Sequence, residues 1–449
     1  MANVAGAQIQ DLSIALEPAA NFGNLPAAGT EQIPQDTLTH VPFEVQSANF
    51  IEGQTEPSHP VNISLAGPGP YPDVIDTVRR PGGAKLRRRF GDVTLTMPAR
   101  GLVAGGNFTR WDNGANQAPL GMIMHSGMTA TDSGAFSDAV LAPLTADTFT
   151  PTVVGNYVEG GLIAVDIDGI REWSTVTGVD AGGNVIHHAP RFSRALTNVS
   201  VDTVFLATTF SHAVGGIGTL GQSVSMAFNV LEERTIMFGG RLASWKLGPV
   251  SEDDSTLMVE AVVRFAHARD EGVVGITNPT RDILADYANV IGCPLVLSVS
   301  ANAGIGTTPA ALAKAALAAN LGWSVNWDND LQIVKSQGTV LASSEWMVGP
   351  AHEVTAELVA QPSALFDTSR LDEEIRILIM GGGPARSGQG IAVALMGAHL
   401  TSPPLRDPQS RTVQPLAFRA GAWDQDGAIS PAFVAPGNTM ARIGLLKAA

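Results

Sequence analysis

Residues 239–272, GGRLASWKLGPVSEDDSTLMVEAVVRFAHARDEG, and residues 397–427, GAHLTSPPLRDPQSRTVQPLAFRAGAWDQDG, carry one pattern twice, 158 positions apart (397 − 239). Each opens on Gly and runs into a short strand with Leu and Ser at matching places, Leu242 and Ser244 in one, Leu400 and Ser402 in the other. A charged turn follows, then an apolar strand with Phe and Arg near its end, then a final acidic turn closing on Gly. A repeat of this size points to a duplicated β-domain, and units of that kind are built to pack against copies of themselves.

A second echo lies upstream of each copy. GDVTLTM (91–97) places Val93, Leu95 and Met97 on one face of a strand and Asp92, Thr94 and Thr96 on the other. HEVTAEL (352–358) places Val354, Ala356 and Leu358 opposite Glu353, Thr355 and Glu357. Period-two alternation of this kind marks a half-buried strand, and the two echoes occur in the same order in each half.

Composition agrees with a β-rich chain. Charged residues make up 15% of 449 residues, with 48 Gly and 28 Pro, which suits turn-rich structure and large buried interfaces. The length allows two or three domains. The formal net charge of −15 argues against tight wrapping of nucleic acid, because phosphate contacts need Lys and Arg. It is compatible with a surface past which DNA slides. The single Cys293, in apolar GCPLVLSV, excludes an internal disulfide and a Cys-based zinc site and reads as a core thiol. MANVAGAQIQ lacks the basic start and apolar core of a signal peptide. No run approaches 18 consecutive apolar residues, so no membrane span is expected.

Along the chain, residues 1–40 read as an extended arm. HVPFEVQS, with Val41, Phe43 and Val45 alternating, opens the strands, and a Pro/Gly-rich loop (53–85) precedes GDVTLTM. QAPLGMIMHSGM (117–128) is a short helix fit to pack on a sheet. A Thr/Ala/Gly-rich stretch (129–160) leads into YVEGGLIAVDIDGIREW, a hairpin turning on Asp168-Gly169. SVSMAFNV and STLMVEAVVRF alternate again, the second through Leu257, Val259, Ala261, Val263 and Phe265.

Residues 271–322 change grammar. NPTRDILADYANVIG has a cap-like Asn278, Pro279 in the first turn and a terminating Gly292, and TTPAALAKAALAANLG repeats this with Thr308, Pro309 and Gly322. The expected organisation is an arm (1–40), a first β domain (41–272) with an insert at about 129–220, and a second β domain (273–449) opening with helical segments 278–322. In GWSVNWDNDLQIV the strands resume, Trp323, Val325 and Trp327 facing one way.

FNVLEERTIMFGGRLASWKLGPVSEDDSTLMVEAVVRF (228–265), a strand, a Gly-Gly-Arg strand, a charged turn and a long final strand, resembles the tail tube proteins of long, flexible-tailed phages. The opening LEPAANFGNLPAAG…VPFEVQSANF resembles the way such proteins begin, with an arm free to reach a neighbour. The resemblance covers most of the chain by pattern and order; the insert 129–220 and the helical linker 271–322 depart from it. It implies a mainly β fold: two tandem tail-tube-like β-sandwich or barrel domains, each with a flanking helix. Most members have one such domain and form hexameric rings. The duplication here resembles the subset with two fused domains, whose trimeric rings have pseudo-sixfold symmetry.

That resemblance implies a structural virion protein, assembled in the host cytoplasm, with itself as principal partner. The tape measure, tail terminator and baseplate proteins are further partners, and no membrane is involved. Genome DNA crosses the lumen without specific binding. A closed inner sheet pairs its own edges, and an anionic lumen repels phosphate. Asp92, Thr94, Thr96, Glu353, Thr355 and Glu357 are the lumen-facing candidates; the bland alternative is an ordinary solvent face on the tube exterior. Arg79, Arg80, Lys85, Arg87, Arg88 and Arg89 put six of 27 basic residues into eleven positions. They are candidates for contact between rings or subunits, with Glu252, Asp253 and Asp254, or Asp372, Glu373 and Glu374, as acidic partners. A solvated loop and direct DNA binding are the other readings of that run. A different baseplate or adhesin-type β-protein is the alternative function.

Catalytic signals fail in context. GIGTLG (216–221) matches a dinucleotide fingerprint as a string but precedes an alternating strand. His187-His188 sits in a Gly- and Pro-flanked stretch read as loop, without a third ligand. Asp166, Asp168 and Gly169, and Asp424, Asp426 and Gly427, lack the remaining ligands of a calcium loop and read as turns. There is no P-loop, no G-x-S-x-G and no Cys/His pair. Asn62, Asn107 and Asn198 sit in N-x-(Ser/Thr) strings that carry meaning only in a secreted chain. The expected catalytic, cofactor and metal sets are therefore empty.

Overall fold

In the computed structural model of the chain, the residues described are 11–17, 41–42, 47–52, 91–99, 119–131, 135–189, 191–197, 202–213, 222–230, 233–251, 257–265, 267–270, 320–334, 345–348, 353–360, 374–375, 378–382, 390–395, 397–401, 414–421 and 439–446. Part of the expected arm is overturned: residues 11–16 form a strand that pairs with residues 224–229 and buries Leu12, Ile14 and Leu16 in the core, because those apolar side chains alternate toward it. The rest of the arm, the basic run 79–89, Glu252–Asp254, Asp372–Glu373, Cys293, GIGTLG, the Asp424–Gly427 turn and helical segment 278–319 lie outside the described residues. The strands in chain order are β1 (Asp11–Leu16), β2 (Val41–Pro42), β3 (Ser47–Glu52) and β4 (Gly91–Pro98). Helix α1 (Pro119–Gly127) follows, then β5 (Thr129–Thr131), β6 (Ser137–Pro143), β7 (Thr148–Pro151), β8 (Leu162–Ile167), β9 (Ile170–Asp180), β10 (Val185–Ala189) and β11 (Thr203–Ala213). Next come β12 (Val224–Val230), β13 (Glu233–Ser251), β14 (Met258–Phe265) and β15 (His267–Asp270). The later strands are β16 (Asn320–Asp328), β17 (Leu331–Val334), β18 (Glu345–Val348), β19 (Glu353–Ala360), β20 (Glu374–Ile375), β21 (Leu378–Gly382), β22 (Ile391–Leu395), β23 (Gly397–Leu400), β24 (Gln414–Gly421) and β25 (Thr439–Leu446). The fold is mainly β, as the alternation requires. Gly322, expected to end a helix, instead lies within β16, where Trp323, Val325 and Trp327 draw the segment onto the core.

The duplication is visible as topology. Strands β3-β4-β14-β13 pair antiparallel in that order, and β16-β19-β24-β23 repeat it. Register repeats as well: Arg241 pairs with Arg264 and Leu242 with Val263, while His399 pairs with Arg419 and Leu400 with Phe418. The sequence echo sets Asp92 against Glu353, whereas pairing to the matching Arg sets Asp92 against Thr355. A shift of two residues leaves every side chain on its own face.

The two halves do not stand apart. β13 pairs with β16, Trp245 opposite Trp327 and Lys246 opposite Asn326, so both quartets lie in one continuous sheet. β13 makes this possible by crossing between layers. Its first half pairs with β12 and β15, its second with β14 and β16. Gly239 (φ 62) and Gly248 (φ 90) take left-handed backbone there, and the register shifts beside Gly248, bending the strand as bulges do.

One apolar core serves both halves. Val93, Leu95, Ala261, Val263, Trp245, Trp327, Val354 and Phe418 form the inner face of the shared sheet. Against it pack β1 and β12, α1, and the inner face of the second sheet through Phe210, Val393 and Ile443. Full burial of one such side chain stabilises by roughly 1.5–3 kcal/mol. Helix α1, read as short and sheet-packing, is buried along its whole length.

The insert is a closed barrel. β6-β7-β10-β9-β8-β11 pair in turn, and β11 returns to β6, so six antiparallel strands have no open edge among them. Its interior holds Phe149, Tyr157, Val165, Ile186, Phe192 and Val204. The Asp168-Gly169 hairpin turn forms as read, with φ of 51° and 84°. His187-His188 departs from the loop reading: both lie on β10, and His188 is fully buried, its Nδ1 2.9 Å from Ser174 Oγ and its ring 4.3 Å from that of Phe192.

A buried polar cluster fastens the N-terminal strand. Glu17, 4% exposed, accepts from the Gly239 amide (2.8 Å) and from Ser223 Oγ. Arg241 donates to the Ser126 carbonyl at the end of α1 (3.1 Å), and Ser126 Oγ accepts from the Leu242 amide (3.0 Å). Burial lowers Arg241 to about 10, against the pull of Glu17. Burial, with Arg241 nearby, lowers His125 to about 4.

Candidate functional site

The candidate site is the polar face of the shared sheet. Residues directly opposite one another on antiparallel strands share a face, so the register defines continuous rows. One row crosses seven neighbouring strands: Thr96, Glu260, Lys246, Asn326, Thr355, Arg419 and His399. Its neighbour contains Thr94, Val262, Ser244, Asp328 and Glu353. The alternate rows, such as Leu95, Ala261, Trp245, Trp327 and Val354, are buried. The sheet is therefore one-sided, apolar inward and polar outward.

Asp92, Thr94 and Thr96 on β4 and Glu353, Thr355 and Glu357 on β19 thus share this face, four strands apart along the sheet. Two ion pairs repeat across the halves. Asp92 binds Arg264 through two contacts of 2.9 and 3.0 Å, and Glu353 binds Arg419 at 2.9 Å. The hydrogen bonds that Arg264 donates to Asp92 raise the arginine above its ordinary value, burial notwithstanding. Where the halves meet, Ser244, Lys246, Glu260, Asn326, Asp328 and Glu353 line a shallow depression. Among the described side chains, five carboxylates (Asp92, Glu260, Asp328, Glu353, Glu357) face three cations (Lys246, Arg264, Arg419), a balance of 3 − 5 = −2. Asp328 and Glu357 are exposed, which leaves their charge open to an approaching ligand.

Lys246, Glu260, Arg264 and Asp328 were not singled out from sequence, although the alternation that put Val259, Ala261 and Val263 inside also puts Glu260 and Arg264 outside. What sequence could not supply is the β13–β16 pairing that brings Lys246 beside Asn326.

Among the described residues no group of three or more His, Cys, Asp or Glu could hold a metal, and no helix is long and apolar enough to cross a membrane. The described side chains of this face offer carboxylates, hydroxyls and amides with a small excess of negative charge. Comparison with protein-family models and with curated proteins finds no match to this chain.

Proposed function

We propose that this chain is a structural subunit that assembles head to tail into closed rings of three, stacked as the tail tube through which phage DNA passes. One observation carries the reading. The chain holds two copies of one strand quartet, already joined edge to edge through β13 and β16. Among the described residues β3, the counterpart of β16, pairs only with β4, so its outer edge stands ready for the same joint with another copy. The counterpart of Ser244, where the internal joint begins, is Ser402, outside the described residues. A joint of this heterologous kind either closes into a ring or runs on as a filament. Six quartets from three chains make the ring, and closure pairs every edge.

In that ring the polar face becomes the inner wall. Asp328 and Glu357 repel phosphate, while Asp92–Arg264 and Glu353–Arg419 keep the two arginines occupied, so DNA passes without being held. The tape measure, terminator and baseplate proteins enter as partners on the strength of the same resemblance. The observation favouring a baseplate or adhesin component instead is that Leu141, Leu144, Val153 and Val158, all on the barrel, are exposed apolar side chains.

The test is the mass and shape of the purified full-length chain. A trimer of about 140 kDa (3 × 46.7) that stacks into tubes in negative stain is expected. A hexamer of full chains, or a monomer at every concentration, overturns the reading.

A further inference from the structure

Resting on that reading, we infer that the inserted barrel is an internal brace that sets the angle between the two halves and thereby selects a three-chain ring. The insert leaves the chain in the first half, between β4 and β12, yet it docks on the second half. β11 is shared between two structures. Thr203–Leu206 complete the barrel, and Ala207–Ala213 pair with β25, Ala207 opposite Leu446 and Ser211 opposite Arg442.

The barrel's outer wall then packs on the outer face of the second sheet, Leu162, Ala164 and Trp173 against Ile379, Ala392 and Ala394. The fit is close. A Cβ at Gly381 would lie 2.7 Å from Trp173 Nε1, and one at Gly444 2.9 Å from the Leu162 side chain. Arg442 is fully buried on the same strand.

The halves are therefore joined through the β13–β16 ladder, through the shared core and, away from both, through the barrel. Adjacent strands in different sheets are twisted by anything between roughly −10° and −35°, so strand pairing alone does not dictate the angle between quartets. The barrel adds an attachment outside the ladder and the shared core and narrows the angle further. The brace is present once per chain: 125 residues separate β4 from β12 (223 − 98), whereas 17 separate β19 from β21 (377 − 360). Braced joints inside chains alternate with unbraced joints between them, giving a threefold ring from pre-set pairs.

The experiment compares full-length wild type, Trp173→Ala and Gly444→Val by electron microscopy and by hydrogen exchange at residues 244–251 and 322–328. Wild type is expected to give one ring size. Both variants, still melting cooperatively, are expected to give open arcs and mixed ring sizes and at least tenfold faster exchange at the β13–β16 ladder. Rings of unchanged size together with unchanged exchange overturn the brace. If wild type forms no ring, the tail tube reading fails separately, and exchange at the ladder alone decides whether the barrel braces the joint. Should Trp173→Ala not fold, Trp173→Phe, which keeps most of the volume, takes its place with the same readings.

Discussion

Trp245 of β13 and Trp327 of β16 lie directly opposite one another across the joint between the two halves, their rings 6.2 Å apart and inclined by 28°. One comes from the Gly-Gly-Arg strand of the first half, the other from the first strand of the second. Their stacking is the apolar counterpart of the Lys246–Asn326 pair beside them, and together they fix which strand meets which.

Truncating either ring is expected to cost about 3–5 kcal/mol, the usual loss for a large buried aromatic. The Phe variants separate the two. Trp327 Nε1 donates to Asn329 Oδ1 at 2.6 Å, and Asn329 in turn binds the Leu242 carbonyl, whereas Trp245 Nε1 has no partner among the described residues. Trp327→Phe should therefore lose about 1–2 kcal/mol more than Trp245→Phe in urea unfolding, because it strands a buried acceptor. Equal losses would show that the indole hydrogen bond does not stabilise the joint.

Gly169 closes the β8–β9 hairpin at φ 84°, with open space where a Cβ would stand. Gly169→Ala should destabilise the protein by about 1 kcal/mol through backbone strain alone. Gly178 in β9 has ordinary contact distances and no positive φ, so Gly178→Ala is the control, with a smaller expected change in melting temperature.

Acid should loosen the N-terminal fastening. His125 titrates near 6.5 in an unfolded chain and at about 4 when folded, chiefly because burial disfavours its cation. Its contribution is fully present above pH 6.5 and is lost as pH falls to about 4, since the unfolded state takes up the proton first. The total is about 3 kcal/mol. In His125→Gln that part of the pH dependence should vanish, so that the urea midpoints at pH 7 and pH 4.5 draw closer together. A variant curve parallel to wild type would remove His125 from the account.

The two repeated ion pairs should matter little to stability. All four partners are partly exposed, Arg419 and Glu353 by 59% and 42%, and pairs of that kind contribute less than about 1 kcal/mol. Asp92→Asn and Glu353→Gln are each expected to unfold within about 1 kcal/mol of wild type, with the difference shrinking in high salt.

Charge on the same face should instead govern DNA. Wild-type assemblies are expected to show no retention of double-stranded DNA at physiological salt. Glu353→Lys with Glu357→Lys reverses two carboxylates and should create binding whose salt dependence steepens by about 0.9 per added phosphate contact. Variant tubes that remain indifferent to DNA would place this face away from its path.

Much of the fold was legible because it is local. Period two in GDVTLTM, HEVTAEL, STLMVEAVVRF and GWSVNWD determines which side chains go inward, and Val93, Leu95, Val354, Ala356, Val259 and Val325 are all buried as that pattern demands. The Asp168-Gly169 turn and helix α1 follow equally from neighbouring residues, as does the order of the repeat. Other features needed the tertiary structure. The insert's Thr/Ala/Gly-rich start gives no sign that β11 returns to β6 and closes a barrel. The Gly322 helix end was overridden by the burial of two Trp residues, and His188 was read as loop because its partner Ser174 lies on another strand. The sequence alone thus determined which strands exist and which faces they bury, since those depend on residues one or two positions apart. Only the tertiary structure decided that the two repeats share one sheet through Trp245 and Trp327 and are tied again by the barrel, because strand pairing between distant segments is settled by the whole core at once.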